Sequence, residues 1–481
     1  MTKLMVVLHS HIPYVKDRGE WPYGHEWIYE SLLKCYLPLM MMFEDEEMQK
    51  LSNVFTHCVS PILSQQLADE KIIDGFSDFL DKKIDNTKHD IKMFESKKWK
   101  RLQSVANICL EEIERTKQFW EKMDRDYVTA LKCLFDKGYI EIGSAAATHG
   151  MLPLLDEDSI RMQIGVGVES TANQFGIKPF SFWIPECGYK PGVEKILEEN
   201  GVGFTFLGSE ATDEFDDIPY RLGNSNVMFM GRQRELSKQV WSSEVGYPGD
   251  DRYIAFEKKY KRSGNRYWRN TGSMVTLGNK DVYNAVEAKS AISEHVSDFI
   301  RKLESYSSET NAKCLLLSFD AEVFGHWWYE GVGWISEFAK GVEASEKLET
   351  TTPKSCGFTP SDVESKTPKE SCWGQGGDFR SWKCLSVKWI WDDLAEMSKK
   401  FFEVKQTNPD KRLLAQLERE LLIAQASDWE FLITTKQARI YGENRFNMHK
   451  QAFWDVVDKI EGIDINIDSL FDKDSPFQFL G

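Results

Sequence analysis

One recurrence constrains this chain more than any other feature: short apolar runs, most of them ending at a residue able to do chemistry. The runs are Leu4–Leu8, Val54–Cys58, Tyr139–Ile142, Phe180–Ile184, Gly203–Leu207, Val227–Met230 and Cys314–Phe319. Such short apolar runs suit strands buried on both faces. Stretches long enough for helices separate most of them, so the pattern reads as alternating β and α around a parallel sheet. The first run leads into His9 and His11, the second contains His57 and the third leads to His149. The fourth reaches Glu186, the sixth Arg232 and the seventh Asp320. Reactive types gathered at C-terminal strand ends fit an active site on a β/α barrel, although a doubly wound sheet carries a similar bias.

Two regions break the alternation. Residues from about Ser64 to Lys132 are charged and helix-periodic, too long for one crossover, and read as a helical insertion. From about Val387 the chain is helical again, with Leu414, Leu417 and Leu421 on one stripe. The Thr/Pro/Ser/Lys-rich stretch before it reads as a linker. At 481 residues there is room for a barrel and an accessory domain. A net charge of −16 argues against nucleic acid or an anionic membrane surface as partner and suits a neutral substrate. No apolar run is long enough to span a membrane, and the N-terminal run is too short for a signal peptide. Nine cysteines without CxxC spacing read as reduced thiols of a cytoplasmic protein.

Five stretches carry candidate chemistry. In FWIPECGYKPG, Glu186 stands between Trp183 and Tyr189, with Pro185 restricting the backbone and Gly188 permitting close approach. A rigid carboxylate among flat rings suits attack on an anomeric carbon; a salt-bridged strand-end glutamate is the plainer reading. In LLLSFDAEVFGHWWYEG, Asp320 is the candidate proton donor, Trp327 and Trp328 its candidate apolar wall, and Glu322 a rival on the same side of an extended segment. In LHSHIPY, His9 and His11 form a metal-like pair, and His149 in ATHGMLPLL shares the ambiguity. Hydrogen bonding to sugar hydroxyls ranks above metal, since no H-x-x-x-H motif completes a metal site. CWGQGGDFRSW sets tryptophans around a glycine-rich loop. In QASDWEFLITTKQARIYGENRF, Asp428 is a helix cap or a ligand contact, with Gln437 further on.

Together these stretches resemble glycoside hydrolase family 57. Its five ordered motifs look like HSHIPY, EIGSAAATHG, WIPECGY, SFDAEVFGHWW and ASDWEFL, spread here from His9 to Leu432. QVWSSEVGYPGD, NRYWRNTG and SCWGQGGDFRSW resemble the family's α-1,4-glucan branching and amylase-like group. The resemblance implies a distorted (β/α)7 barrel, a helical insertion and a C-terminal α-helical domain. It implies a retaining mechanism with Glu186 as nucleophile and Asp320, not Glu322, as acid/base. It also implies substrate contacts at Trp27, Trp373, Trp382, Asp428 and Gln437, and at an arginine and a glycine within Arg262–Gly272, here taken at Gly264. Members of this kind carry a longer segment between Tyr253 and Arg269 and a loop tyrosine linked to branching. Gly231–Val240 has no tyrosine, and Tyr247 is the nearest.

The expected organisation is a catalytic barrel over residues 1–345 with its insertion at about 64–132, a linker and substrate loop over 346–386, and a helical domain over 387–481. The expected activity is branching of α-1,4-glucans by glycosyl transfer through a covalent glycosyl-enzyme, in a cytoplasmic monomer without metal or cofactor. The alternatives are a 4-α-glucanotransferase or α-amylase, a metal-dependent polysaccharide deacetylase, and a non-catalytic glucan-binding protein.

Overall fold

A computed structural model describes residues 1–20, 23–212, 217–272 and 275–481. Among these, one sheet holds β1 (Thr2–Ser10), β2 (Phe55–Val59), β3 (Ile140–Ala145), β4 (Ser181–Trp183) and β5 (Phe204–Leu207). It continues with β6 (Tyr220–Leu222), β7 (Met228–Gly231), β8 (Cys314–Asp320), β9 (Leu348–Thr351) and β10 (Ser365–Lys366). Each of the seven apolar runs supplies one strand of a parallel array in the order β8-β1-β2-β3-β4-β5-β7. The ring closes where Arg232, just past β7, bridges Leu316 of β8, and Gln233 N–H donates to the Leu316 carbonyl at 2.9 Å. The fold is a distorted (β/α)7 barrel.

The distortion has a local cause. β6 lies antiparallel on the first part of β7, pairing Tyr220 with Phe229 and Arg221 with Met228, and β10 pairs with β6. That occupies the edge β7 would otherwise offer, so β8 meets the chain only past the end of β7. β9 similarly takes Thr2–Met5 of β1, leaving Val7–Ser10 to β2. The strands therefore converge at their C-terminal ends and are wedged apart at the other. β9 and β10 arise within 346–386, where linker and loop were expected; both are short and largely polar, so periodicity does not mark them.

Strand side chains including Met5, Val7, Trp183, Phe206, Met230 and Leu316 form one apolar cluster. Between β2 and β3 run helices Pro61–Leu67, Glu70–Ser96, Lys100–Lys122 and Tyr127–Asp136. The Asp69 carboxylate caps the second by accepting from Lys71 N–H. Ile72, Phe76, Leu80 and Ile84 recur every four residues on its buried face, and Phe76 meets Trp120 edge-on at 5.2 Å. The C-terminal region is built from helices Lys388–Gln406, Lys411–Ala424, Asp428–Thr434, Arg439–Ile460 and Asp468–Lys473. It docks on the chain that follows β3: Gly150 bridges Ala426, and the Thr148 hydroxyl donates to the Leu422 carbonyl. No helix among the described residues is long and apolar enough to cross a membrane.

Gly143 in β3 tests the barrel packing. A Cβ there would stand 2.5 Å from Cys58 Sγ and 2.7 Å from Ser181 Oγ. Gly143→Ala is expected to cost about 1–3 kcal/mol through overpacking. Denaturant titration should show a lower midpoint with an unchanged slope; an unshifted midpoint would mean the three strands are not this close.

Candidate active site

The turn after β4 fixes Glu186. Pro185 opens it, and Glu186 and Cys187 both take left-handed conformations, at φ 57° and 49°. Two consecutive non-glycine residues in that region store about 1–3 kcal/mol each, a strain that collects at functional sites. Gly188 packs closely here: a Cβ would lie 3.1 Å from Met151 Sδ and from the Pro185 carbonyl. The Glu186 side chain is 23% exposed, and its Oε2 accepts from the Trp373 indole N–H at 2.7 Å. The Trp373 backbone N–H also donates to the Glu186 carbonyl at 3.0 Å, locking the two loops together. Trp183 and Tyr189 do not supply the flat faces expected of them. Both are fully buried, Trp183 stacked on His9 and Tyr189 donating to Glu194. The ring beside the carboxylate is Trp373, from a loop distant in sequence.

Asp320 ends β8, in register with His9 on β1. Burial pushes its carboxyl up to about 6, with Arg232 and His11 opposing. Burial also pushes Glu186 up, to about 8; the Trp373 N–H opposes this, and the charges of Asp320 and Asp428 add to it. Each group thus holds its proton beyond the ordinary carboxylate range, and the pair carries one proton near neutral pH. Even with the Trp373 N–H opposing, these values place that proton on Glu186. A nucleophilic glutamate needs the reverse arrangement, and the Trp373 N–H is the contact that favours it. Burial and the nearby Asp320 charge together raise the Glu322 carboxyl. The strand stops, the turn Ala321–Val323 redirects the chain, and Glu322 is buried, accepting from the Tyr36 hydroxyl. Of the expected apolar wall, Trp328 is buried in the core beside Trp334, and Trp327 is exposed.

The histidines form a bonded stack. His11 lies on His149 with centroids 3.9 Å apart, and His9 stacks on Trp183 at 4.9 Å. Burial holds His9 and His149 well below the usual imidazole range, so both are neutral. Their tautomers follow. The Cys58 carbonyl can only accept, so His9 Nδ1 donates to it, at 3.0 Å. His9 Nε2 is then bare and accepts from His149 Nε2 at 2.9 Å. His149 Nδ1 is bare in turn, accepts from Ser427 Oγ at 3.1 Å, and lies 3.9 Å from Glu186 Oε1. His11 Nε2 donates to Asp428 Oδ2 at 2.9 Å. Ligand atoms of His11, His149 and Asp428 fall within 4.8 Å of one another, but the first and last are bonded directly together.

Other expected site residues separate. Trp27 and Tyr23 pack against Tyr441, and the Tyr23 hydroxyl donates to the carbonyl of exposed Gln437, placing these residues together at one rim. Trp382 is 1% exposed and stacked on Phe431, so it offers no free face to a sugar and instead packs under Gly374. Gly264 turns against Lys83 of the insertion, at φ +70°, and has no contact with the carboxyl pair among the described residues. Tyr247 is buried, donating to Asp298 and stacked on His295, away from the cleft. Arg232 was visible in sequence as a strand-end residue without a role. Its guanidinium lies 5.4 Å from the Trp373 ring and 5.9 Å from Phe319.

A barrel whose strand ends hold two desolvated carboxyls, indoles and bonded imidazoles is a carbohydrate-active enzyme. Residues 5–363 match glycosyl hydrolase family 57, and residues 387–480 match the C-terminal region of 1,4-alpha-glucan branching enzymes. The 1,4-alpha-glucan branching enzyme of Thermococcus kodakarensis is 33% identical over 533 residues, covering 99% of this chain and 77% of its own. Its crystal structure with glucose superposes with a TM-score of 0.92 at 32% identity, over 100% of this chain and 96% of that one. The family 57 branching enzyme of Pyrococcus horikoshii gives 0.93 at 31%, over 99% and 95%. The alpha-amylase AmyC of Thermotoga maritima gives 0.89 at 28%, over 99% and 97%. The chain belongs to glycosyl hydrolase family 57.

Trp373→Phe keeps an aromatic face but removes the donor to Glu186 Oε2. A hydrogen bond to a charged group contributes about 1.5–3 kcal/mol, so kcat/KM should fall about 10- to 100-fold. The alkaline limb of its pH profile should move upward, because ionised Glu186 loses its donor. A fall in affinity alone, with the limb unmoved, would show that Trp373 acts only as a stacking surface.

Proposed function

We propose that the protein is a 1,4-alpha-glucan branching enzyme acting by double displacement. The observation that carries this reading is the desolvated pair Glu186 and Asp320, with Trp373 donating to the first and Arg232 near the second. Glu186 attacks the anomeric carbon of an α-1,4-linked unit. The C1–O bond breaks, and the departing oxygen takes the proton of Asp320. The glycosyl ester on Glu186 is then attacked by an acceptor hydroxyl, whose proton passes to Asp320. A 6-hydroxyl acceptor gives a branch, a 4-hydroxyl a longer chain, and water a hydrolysed one. His11 and Asp428 line the polar side for sugar hydroxyls, with buried His9 and His149 bonded behind them. Trp373 offers the stacking face, and Trp27 with Gln437 extends the path along the rim. Trp382 and Gly264 support these loops. The substrate is a neutral α-glucan, in keeping with the net charge of −16. Nine free cysteines support a reducing, cytoplasmic setting, and the chain acts as a monomer.

Incubation with amylose, followed by parallel assay of α-1,6 linkages and new reducing ends, tests the reading. Branches should outnumber reducing ends; reducing ends without branches would assign an α-amylase instead. Glu186→Gln should abolish turnover while glucan binding persists, and azide should rescue Glu186→Ala as a glycosyl azide of inverted configuration. The chemistry asks for no Lewis acid, so activity should survive exhaustive chelation; recovery of lost activity by zinc would favour a deacetylase-like centre.

The pair also sets the pH profile. Below about 6 both carboxyls are protonated and the nucleophile is lost; above about 8 both are ionised and the acid is lost. A bell between those limbs is expected in kcat/KM, and a flat profile from pH 5 to 9 would contradict it.

A further inference from the structure

We propose that Arg232 is a positioning residue for the second half of the reaction: its guanidinium, held among ring faces beside Asp320 with no carboxylate paired to it, keeps Asp320 ionised once Glu186 carries the glycosyl unit. The inference rests on the double-displacement reading of Glu186 and Asp320.

Arg232 leaves the end of β7 at the one point where β7 and β8 join, through the bridge to Leu316. Asp320 closes the same β8 strand four residues further on. The guanidinium carbon lies 5.4 Å from the Trp373 ring centroid, 5.8 Å from Trp241 and 5.9 Å from Phe319. Three ring faces hold a cation without neutralising it. Among the described residues Arg232 makes no ion pair, and its buried Nε has no hydrogen-bond partner. Its acidic neighbour Glu210 is engaged by Arg234 and Ser209. The charge that remains to be answered is that of Asp320.

The groups facing Asp320 are Arg232, His11, Glu186, Glu322 and Cys187. Burial raises Glu322 to about 8 and Cys187 well above its usual value, so near neutral pH neither carries appreciable charge. His11 is bonded through Nε2 to Asp428. Arg232 is therefore the permanent cation in this set. In the first step Asp320 gives its proton to the leaving oxygen and becomes an anion in a desolvated site. In the second, the acceptor oxygen bonds to C1, the ester C1–O bond to Glu186 breaks, and the acceptor's proton returns to Asp320. Glu186 is an uncharged ester between these steps, so Arg232 then acts on Asp320 without a competing carboxylate. Removing the cation raises the Asp320 pKa, and the base is lost at a higher pH than in the parent.

Turnover of α-maltotriosyl fluoride separates the two halves, because fluoride leaves without a proton. Arg232→Met should keep a stoichiometric burst of fluoride and lose steady-state turnover. The acidic limb of kcat should move up by about one to three pH units, the range for loss of a close opposite charge. Arg232→Lys should hold the limb at its parental pH. Should Arg232→Met fold poorly, Arg232→Gln removes the same charge and gives the same readout. Burst and steady state falling together, with the limb unmoved, would show that Arg232 only packs the seam and would overturn the inference. Glu186→Gln, run in parallel, tests the underlying reading: steady turnover of the fluoride by that variant would sink the mechanism itself, whatever Arg232 does.

Discussion

The structure depends on a seam that closes at one end. β6 occupies the free edge of β7, so β8 meets that part of the chain only at Arg232, and β9 forces β2 onto the last residues of β1. Parallel strands held this way lean together at their C-terminal ends. Side chains from β1, β4, β8 and the segment after β3 then reach one small volume, although they come from positions as distant as His9 and Asp320. The price is a pair of carboxyls without enough water. That shortage raises the proton affinity of both.

The helical region completes what the barrel begins. Asp428 bonds His11, Ser427 bonds His149, and Ala426 bridges Gly150, so the cleft is a joint between two bodies rather than a hole in one. A buried polar cluster fastens the same joint from behind. His449 Nδ1 bonds Glu420 at 2.8 Å, Arg445 donates to the Tyr14 carbonyl, and Arg18 pairs with Asp474. Breaking one member of such a cluster leaves another charge buried and unpaired, which is strongly destabilising. The segment after β1 therefore serves both the active site, through His11, and the docking of the helices, through Tyr14 and Arg18.

The barrel was legible because buried parallel strands must be apolar throughout, and seven runs met that demand. β6, β9 and β10 were not, because short edge segments tolerate polar residues and leave no period to read. Glu186 and Asp320 stood out through their punctuation: proline and glycine around one, an abrupt end to an apolar strand before the other. The rings around them were misread for a single reason. Whether a tryptophan is a platform or a core residue depends on what covers it, and the cover comes from elsewhere in the chain. Trp183, Tyr189 and Trp382 are covered, while Trp373 is only partly so. The strand ends at Asp320, so Glu322 enters a turn and is buried against Tyr36 instead of continuing the extended segment.

The left-handed backbone at Glu186 has a consequence for how such a protein changes over generations. Glycine adopts that conformation at no steric cost, so replacing Glu186 by glycine would relax the turn while removing the nucleophile. A lineage, or a laboratory selection, that rewarded durability alone would find this substitution attractive and drift toward a tougher, inert glucan binder. The glutamate persists only under continued demand for turnover, which makes position 186 a marker separating working descendants of this fold from retired ones.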